Sequence, residues 1–162
     1  MTHVTTHLPA PMQIRELIGD LLDREITLGP TSPFAPSQFN PATIAVYTDD
    51  SLIIKALVMI DLPLSAAIGA ALGLMPASAA LAVIEEGKVN DAIRENLAEV
   101  LNIALSLFNV DHSPHLKLYQ VHAAGDAMPP NIQSHALTLG RREDLKIDVQ
   151  GYPSGRFSIV LV

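Results

Sequence analysis

The pattern of hydrophobic and polar positions changes its period along the chain, and these changes predict successive elements. Near the N-terminus, apolar residues recur at helical spacing, which predicts a helix over residues 12–25. A stretch with prolines at positions 30, 33, 36 and 41 follows, and we expect a long extended loop there because proline excludes regular helix. Two β-branched, apolar runs at 43–48 and 52–60 then flank a short polar turn, which predicts a β-hairpin.

The middle of the chain predicts helices, and the last third predicts strands. Asp61 favours a helix start, and the Ala- and Gly-rich sequence after it suits a helix that packs closely against a sheet. A short helix over 77–86 and a longer one over 90–109 are expected next. Strand-like segments then follow with the sequences HLKLYQVH, SHALTLG, DLKIDVQ and RFSIVLV.

This order of elements predicts an α+β domain, in which an antiparallel-rich sheet packs against long helices on one side or end. We assign residues 1–162 to one such domain and interpret residues 1–10 as a flexible lead-in. Residues 62–84 carry no charge and are long enough to span a bilayer, but Pro and Gly interrupt them and acidic residues flank them. We therefore expect two short buried helices, no membrane span and, without a signal-peptide pattern, a cytoplasmic protein.

Composition and charge exclude several function classes. The net charge of −7 offers no basic surface for phosphates, so we expect no nucleic-acid partner. The chain has no cysteine, which excludes disulfides, thiolate metal sites and cysteine nucleophiles. Pro114 separates His112 from His115 and no further ligands stand at a recognised spacing, so we expect no metal site. No phosphate-binding glycine loop or nucleophile elbow is present, and the adjacent Arg141 and Arg142 are typical of a polar turn.

The helix predicted over 90–109 has a polar face with an unusual composition. With Ile93 at zero on a helical wheel, the apolar residues fall in one arc, and four polar residues lie opposite. The angles of Asn102, Glu95, Ser106 and Glu99 are roughly 180°, 200°, 220° and 240°. No lysine or arginine stands one turn ahead of Glu99, and Glu95 one turn behind it is repulsive. Every amphipathic surface helix has a solvated face, so the wheel alone leaves that simpler interpretation open.

The sequence Glu99-Val-Leu-Asn102 resembles the motif of the CheC/CheX/FliY family of chemotaxis phosphatases, in which an acidic residue precedes asparagine by three positions on an exposed helix face. Ser106 stands where the family usually has glycine, and Glu95 stands where it usually has Asp or Ser. The order of elements is also similar to the family over nearly the whole chain. The first helix carries no second copy of the motif, so the chain resembles the single-site CheX-like branch, whose members often pair into homodimers.

This resemblance implies a phosphatase that hydrolyses the aspartyl phosphate of a phosphorylated CheY-type response regulator. Asn102 would hold the attacking water, Glu99 would pair with the active-site lysine of the regulator, and Glu95 and Ser106 would contact the partner. The resemblance implies no cofactor on this chain, because the regulator would hold the Mg²⁺.

Two alternatives stay open at the level of sequence. Glu95 and Ser106 depart from the family pattern, which is compatible with a catalytically inactive relative that binds a signalling partner. A small-molecule sensor domain is a further alternative, and it would require a large apolar pocket.

Overall fold

The computed structural model describes residues 5–162, which form an α+β fold around a six-stranded antiparallel sheet. In chain order the elements are α1 (Pro11–Leu22), β1 (Ile26–Pro30), β2 (Ala42–Thr48), β3 (Ile54–Asp61), α2 (Leu62–Leu72), α3 (Ala77–Glu86), α4 (Asp91–Ile103), a 3₁₀ turn (Ala104–Leu107), β4 (Lys117–His122), α5 (Pro130–Ala136), β5 (Arg142–Val149) and β6 (Gly155–Leu161). The strands lie in the order β1-β5-β6-β3-β2-β4. The predicted fold class and the predicted β2–β3 hairpin are confirmed.

The central strands are buried on both faces of the sheet. In β2 every residue is buried, because helices α1 to α4 cover one face and other segments cover the opposite face. On that opposite face Phe34, from the proline-rich loop, and Ile132, from α5, pack against Ile44 and Met59. Helices therefore dominate one face, as the sequence predicts, while a loop and one short helix close the other.

One predicted strand is wrong. The segment SHALTLG forms the end of α5 and the turn after it, rather than a strand. Pro130 begins this helix, and Pro is favoured in the first helical turn because its missing N–H has no helical partner there. Ile132 and Ala136, four residues apart, bury one face of the helix against the sheet. Only Ser134 to Ala136 of this segment are helical, and Leu137 and Leu139, whose apolar side chains suggested a strand, lie exposed beyond the end of α5.

The proline-rich stretch contains a strand that its composition obscured. Residues of β1 pair with β5 in antiparallel register, from Ile26 opposite Val149 to Pro30 opposite Leu145. The strand lies at the edge of the sheet, where proline is tolerated because no further strand needs its N–H. The expected extended loop follows from residue 31 to residue 41. At the N-terminus, residues 1–4 of the predicted flexible lead-in lie outside the described residues, and residues 5–10 form no helix or strand.

Helix α2 begins as predicted and crosses close beneath α4. The carboxylate of Asp61 caps its first turn by accepting a hydrogen bond from the Leu64 N–H over 3.1 Å. Gly69 allows the close approach, since a Cβ at this position would lie 2.6 Å from Cγ2 of Ile93 in α4. Among the described residues, no helix combines the length and apolar character that a membrane span requires.

Candidate functional site

Helix α4 has a well-formed start and a fully buried inner side. The side chain of Asn90 accepts a hydrogen bond from the Ile93 N–H over 2.9 Å, which caps the helix. Asp91 adds a negative charge to the first turn, where the helix dipole favours it. The inner side buries four apolar residues, which are Ile93, Leu97, Val100 and Leu101. The helix is therefore fixed on the core without any contribution from its outer face.

The outer face of α4 carries Glu95, Glu99 and Asn102 in one exposed line. Residues four and three positions apart on a helix are neighbours, with Cβ atoms about 5–6 Å apart. Within residues 5–162, neither the carboxylates of Glu95 and Glu99 nor the Asn102 amide forms a hydrogen bond or a salt bridge. We call this line the acid–amide face. Its polar groups are all available to a partner.

Ser106 does not continue this line as the wheel predicted. The α-helix ends at Ile103 rather than near Asn109, and the chain continues as the tighter 3₁₀ turn that contains Ser106. Because a 3₁₀ turn rotates by roughly 120° per residue instead of 100°, the three steps to position 106 add a rotation of about 60°. Ser106 stays exposed, but it moves away from Asn102 and towards the side of Glu99.

Tyr47 of β2, in the sheet against which α4 packs, anchors the C-terminal end of α4. Its hydroxyl donates a hydrogen bond of 2.6 Å to the carbonyl oxygen of Leu101, the residue immediately before Asn102. Its ring lies 5.0 Å from the ring of Phe108, which follows the 3₁₀ turn. Burial raises the pKa of the Tyr47 phenol far above its usual range, so the hydroxyl stays a donor. The backbone beside Asn102 is thus held by the sheet.

Arg94 tethers the N-terminal half of α4 to the loop after β4. Its guanidinium donates two hydrogen bonds, each of 2.8 Å, to the carboxylate of Asp126. The same carboxylate accepts a bond from the Ala123 N–H over 3.2 Å. Hydrogen bonding to Arg94 lowers the pKa of Asp126. Sequence reasoning missed both anchors, because Tyr47 and Asp126 lie far from α4 in sequence and only the fold brings them to it.

Arg142, the other candidate for contact with an anion, is already paired within the fold. Arg142 begins β5, and its side chain, only 6% exposed, pairs with Asp144 at 2.8 Å. It also donates to the carbonyl oxygens of Ala136 and Thr138, which holds the end of α5 on the sheet. No group of three or more potential metal ligands occurs among the described residues.

A groove of about 690 Å³ is lined by none of Glu95, Glu99 and Asn102. The groove lies between the proline-rich loop and the loop after β4, and Phe39, Asp126, Met128 and Gln133 are among the residues that line it. The lining mixes polar and apolar groups and is open to solvent. It therefore lacks the enclosed apolar character that the small-molecule sensor alternative requires.

Comparison with known proteins identifies the fold through structure alone. No protein-family model matches the sequence, and no curated protein matches it. A chain of the H. pylori FliM–SpeE complex matches with a TM-score of 0.61 and 10% identity, over 93% of this chain and 80% of that one. The FliM middle domain (51–229) of Vibrio alginolyticus matches with a TM-score of 0.58 and 12% identity, over 92% and 86%. A chain of the H. pylori FliG–FliM complex matches with a TM-score of 0.55 and 10% identity, over 93% and 85%.

These matches cover nearly all of the chain, and they define its class of fold. The chain has the CheC-like α+β fold, in the form seen in FliM middle domains. At 10–12% identity the likeness extends to the fold alone.

Proposed function

We propose that this chain is a CheX-like phosphatase that hydrolyses the aspartyl phosphate of a CheY-type response regulator, in chemotaxis or two-component signalling. One observation carries the proposal: Glu99 and Asn102 lie side by side on an exposed helix face, and neither side chain has a partner within residues 5–162. Polar groups that do nothing for the fold and face solvent together are suited to a second protein. The CheC-like fold supports the same assignment.

Asn102 is the residue proposed to place the attacking water. Its amide oxygen accepts a hydrogen bond from a water molecule, and this bond orients the water in line with the phosphorus. The water oxygen forms the new bond to phosphorus, and the bond from phosphorus to the carboxyl oxygen of the regulator breaks. The regulator recovers its carboxylate, and inorganic phosphate leaves with the oxygen of the water. The hydrogen bond from Tyr47 to Leu101 supports this role, because it holds the backbone next to Asn102.

Glu99 is proposed to fix the register of the complex. A carboxylate on this face can form a charge-assisted hydrogen bond with the active-site lysine of the regulator. Glu95 and Ser106 would contact the partner on either side. The regulator would hold its own Mg²⁺, so this chain would not need to bind a cofactor for the reaction. We further expect one CheX-like domain over residues 1–162, a cytoplasmic location and a homodimer, as the resemblance implies.

The decay of a phosphorylated CheY-type regulator tests this function. We expect wild-type protein to accelerate decay, Asn102→Ala to abolish most of the acceleration while keeping much of the binding, and Glu99→Ala to weaken both. Asn131→Ala, which removes an exposed asparagine of α5 on the opposite face of the sheet, is the matched control and should keep full activity. Full activity of the Glu99→Ala/Asn102→Ala double variant would refute the proposed site.

A second candidate is a catalytically inactive module that binds a signalling protein. The structures with this fold include complexes of FliM with SpeE and with FliG, and FliM is a flagellar switch protein. Ser106 on its 3₁₀ turn and Glu95 also depart from the phosphatase pattern. Unchanged decay of a regulator that nevertheless binds the acid–amide face would favour this candidate over the phosphatase.

A further inference from the structure

Leu74, in the turn after α2, is unusual for a leucine in both its backbone conformation and its exposure. Its backbone is left-handed, with φ of 56°, and its side chain is 83% exposed. The Leu74 N–H donates to the Ala71 carbonyl over 3.1 Å and the Met75 N–H donates to the Ala70 carbonyl over 2.8 Å. This is the bonding pattern of a Schellman motif, in which glycine is the favoured residue at the position of Leu74. A leucine here strains the backbone and exposes apolar surface, so its presence is not explained by stability.

The turn that presents Leu74 is fixed against its surroundings. A Cβ on Gly73 would lie 2.7 Å from Nδ2 of Asn96, so the turn packs directly on α4. On its other side, the Tyr152 hydroxyl donates a hydrogen bond to the carbonyl oxygen of Met75. Leu74 is therefore held out into solvent by a rigid turn, which lowers the entropic cost of using it as a contact.

Leu74 lies close enough to the acid–amide face for one partner to cover both. It follows Gly73, which touches Asn96, and Glu99 stands one helical turn beyond Asn96. One residue of chain and one helical turn place Leu74 within about 15 Å of Glu99. A typical interface of about 800 Å² per partner is roughly 30 Å across, so it includes both positions.

We propose that Leu74 is the apolar anchor of the surface that binds the response regulator, an inference that rests on the proposed function. Charge complementarity identifies the occupant's chemistry. Glu95 and Glu99 are exposed and have no cationic partner within residues 5–162, so a lysine or arginine on the partner is complementary to this face. Beside that cation it must offer an apolar recess for Leu74. The partner is thus a folded protein surface that combines a cation with an adjacent hydrophobic depression.

Leu52 provides a control that matches Leu74 in backbone conformation and in exposure. It too has a left-handed backbone, with φ of 62°, and a side chain that is 68% exposed. It lies, however, in the β2–β3 turn rather than beside α4. Leu139, 75% exposed between α5 and β5, is a second control for loss of an exposed leucine.

The experiment compares Leu74→Gly and Leu74→Asn with Leu52→Gly and Leu139→Ala. The probe is a CheY-type regulator carrying beryllofluoride as a stable mimic of its aspartyl phosphate. We expect both Leu74 variants to raise Tm by about 2–5 °C, because glycine and asparagine relieve the left-handed strain. We expect the same variants to bind the regulator about 10-fold more weakly, in keeping with the loss of an interface anchor. Leu52→Gly should raise Tm similarly and leave binding unchanged, and Leu139→Ala should change neither.

The outcomes separate this inference from the proposed function. Weaker binding by a more stable protein would support the anchor, since a residue with a merely structural role cannot produce that combination. If wild type and the Leu74 variants bind the regulator equally, the anchor is wrong while the proposed function stands. If wild-type protein does not bind the regulator at all, the proposed function fails and the anchor fails with it.

Discussion

The two sides of α4 differ in what holds their side chains. The inner side buries Ile93, Leu97, Val100 and Leu101 in the core, and Tyr47 adds a hydrogen bond to the backbone. The outer side carries polar groups with no partner in the described part of the chain. The inner side therefore supplies the stability of the helix, and the outer side adds almost none.

This difference shows that one set of residues holds the α4 backbone in place and another set supplies the polar groups that a partner can contact. A polar side chain that binds a partner protein cannot be fixed by hydrogen bonds within its own chain, because those bonds would have to break when the partner binds. Its backbone has to be held from elsewhere, here by the core and by the anchors at Tyr47 and Arg94. Substitutions of the two sides should therefore have opposite consequences: stability changes on the inner side, and changes of binding or turnover on the outer side.

Tyr47→Phe should lower stability more than any substitution on the outer side of α4. It removes the only donor that β2 offers to the Leu101 carbonyl while keeping the ring against Phe108. Leaving a buried carbonyl without this partner costs about 1–3 kcal/mol of unfolding free energy. Denaturant unfolding measures the cost. Tyr119→Phe, at a tyrosine that is 55% exposed in β4, is the matched control and should stay within about 0.5 kcal/mol of wild type.

Tyr47→Phe also tests whether the anchor matters for the site. Because Leu101 precedes Asn102, loosening its carbonyl should lower the turnover of a phosphorylated regulator more than it lowers binding. An unchanged turnover together with the expected loss of stability would show that the position of Asn102 does not depend on Tyr47.

Much of the fold was predictable because its pattern is local. The β2–β3 hairpin, the Asp61 cap of α2 and the Asn90 cap of α4 all depend on residues close in sequence. The errors have physical causes as well. A short helix such as α5 gives too few turns to distinguish helical from strand periodicity, and the edge position that allows Pro30 in β1 is a property of the sheet.

The sequence predicted that the candidate site residues are exposed, but it did not predict the contacts that hold α4 in place. The wheel indicated that Glu95, Glu99 and Asn102 share one outer face, and the structure places them there. It failed at Ser106, because a change from α to 3₁₀ winding leaves no clear signal in the sequence. The roles of these residues stay predictions. Leu74 was also missed, since an exposed leucine is ordinary in a sequence and only its backbone conformation makes it unusual.

Breaking the Arg94–Asp126 pair should have a smaller effect, and one that depends on pH. Arg94 lowers the pKa of Asp126 in the folded state, so the pair stabilises the protein above the unfolded pKa of about 3.9. That stabilisation is lost as the pH falls through the lower folded pKa. Because the side chains are 42% and 35% exposed, we expect at most about 0.5 kcal/mol.

Unfolding free energies of wild type and Arg94→Met from pH 2 to pH 7 test this pair. The difference between the two proteins should be present at neutral pH and disappear in acid. Lys117→Met is the matched control, because it breaks a more exposed pair with Asp50. A difference that stays constant down to pH 2 would contradict an electrostatic role for Arg94.

Glu95→Lys should have the smallest effect on stability, and it should separate the two sides of α4 most clearly. Glu95 and Glu99 are like charges four positions apart, and replacing one with lysine turns a repulsive pair into an attractive one. The gain is about 0.2–0.5 kcal/mol of unfolding free energy. The same lysine engages Glu99 and repels the complementary cation of the partner, so regulator binding should weaken as the fold becomes slightly more stable. Glu95→Gln removes the repulsion without supplying a competing cation, and it should keep most of the affinity. If Glu95→Lys binds the regulator as tightly as Glu95→Gln does, the regulator does not use the charge of Glu99, and the role proposed for Glu99 is wrong.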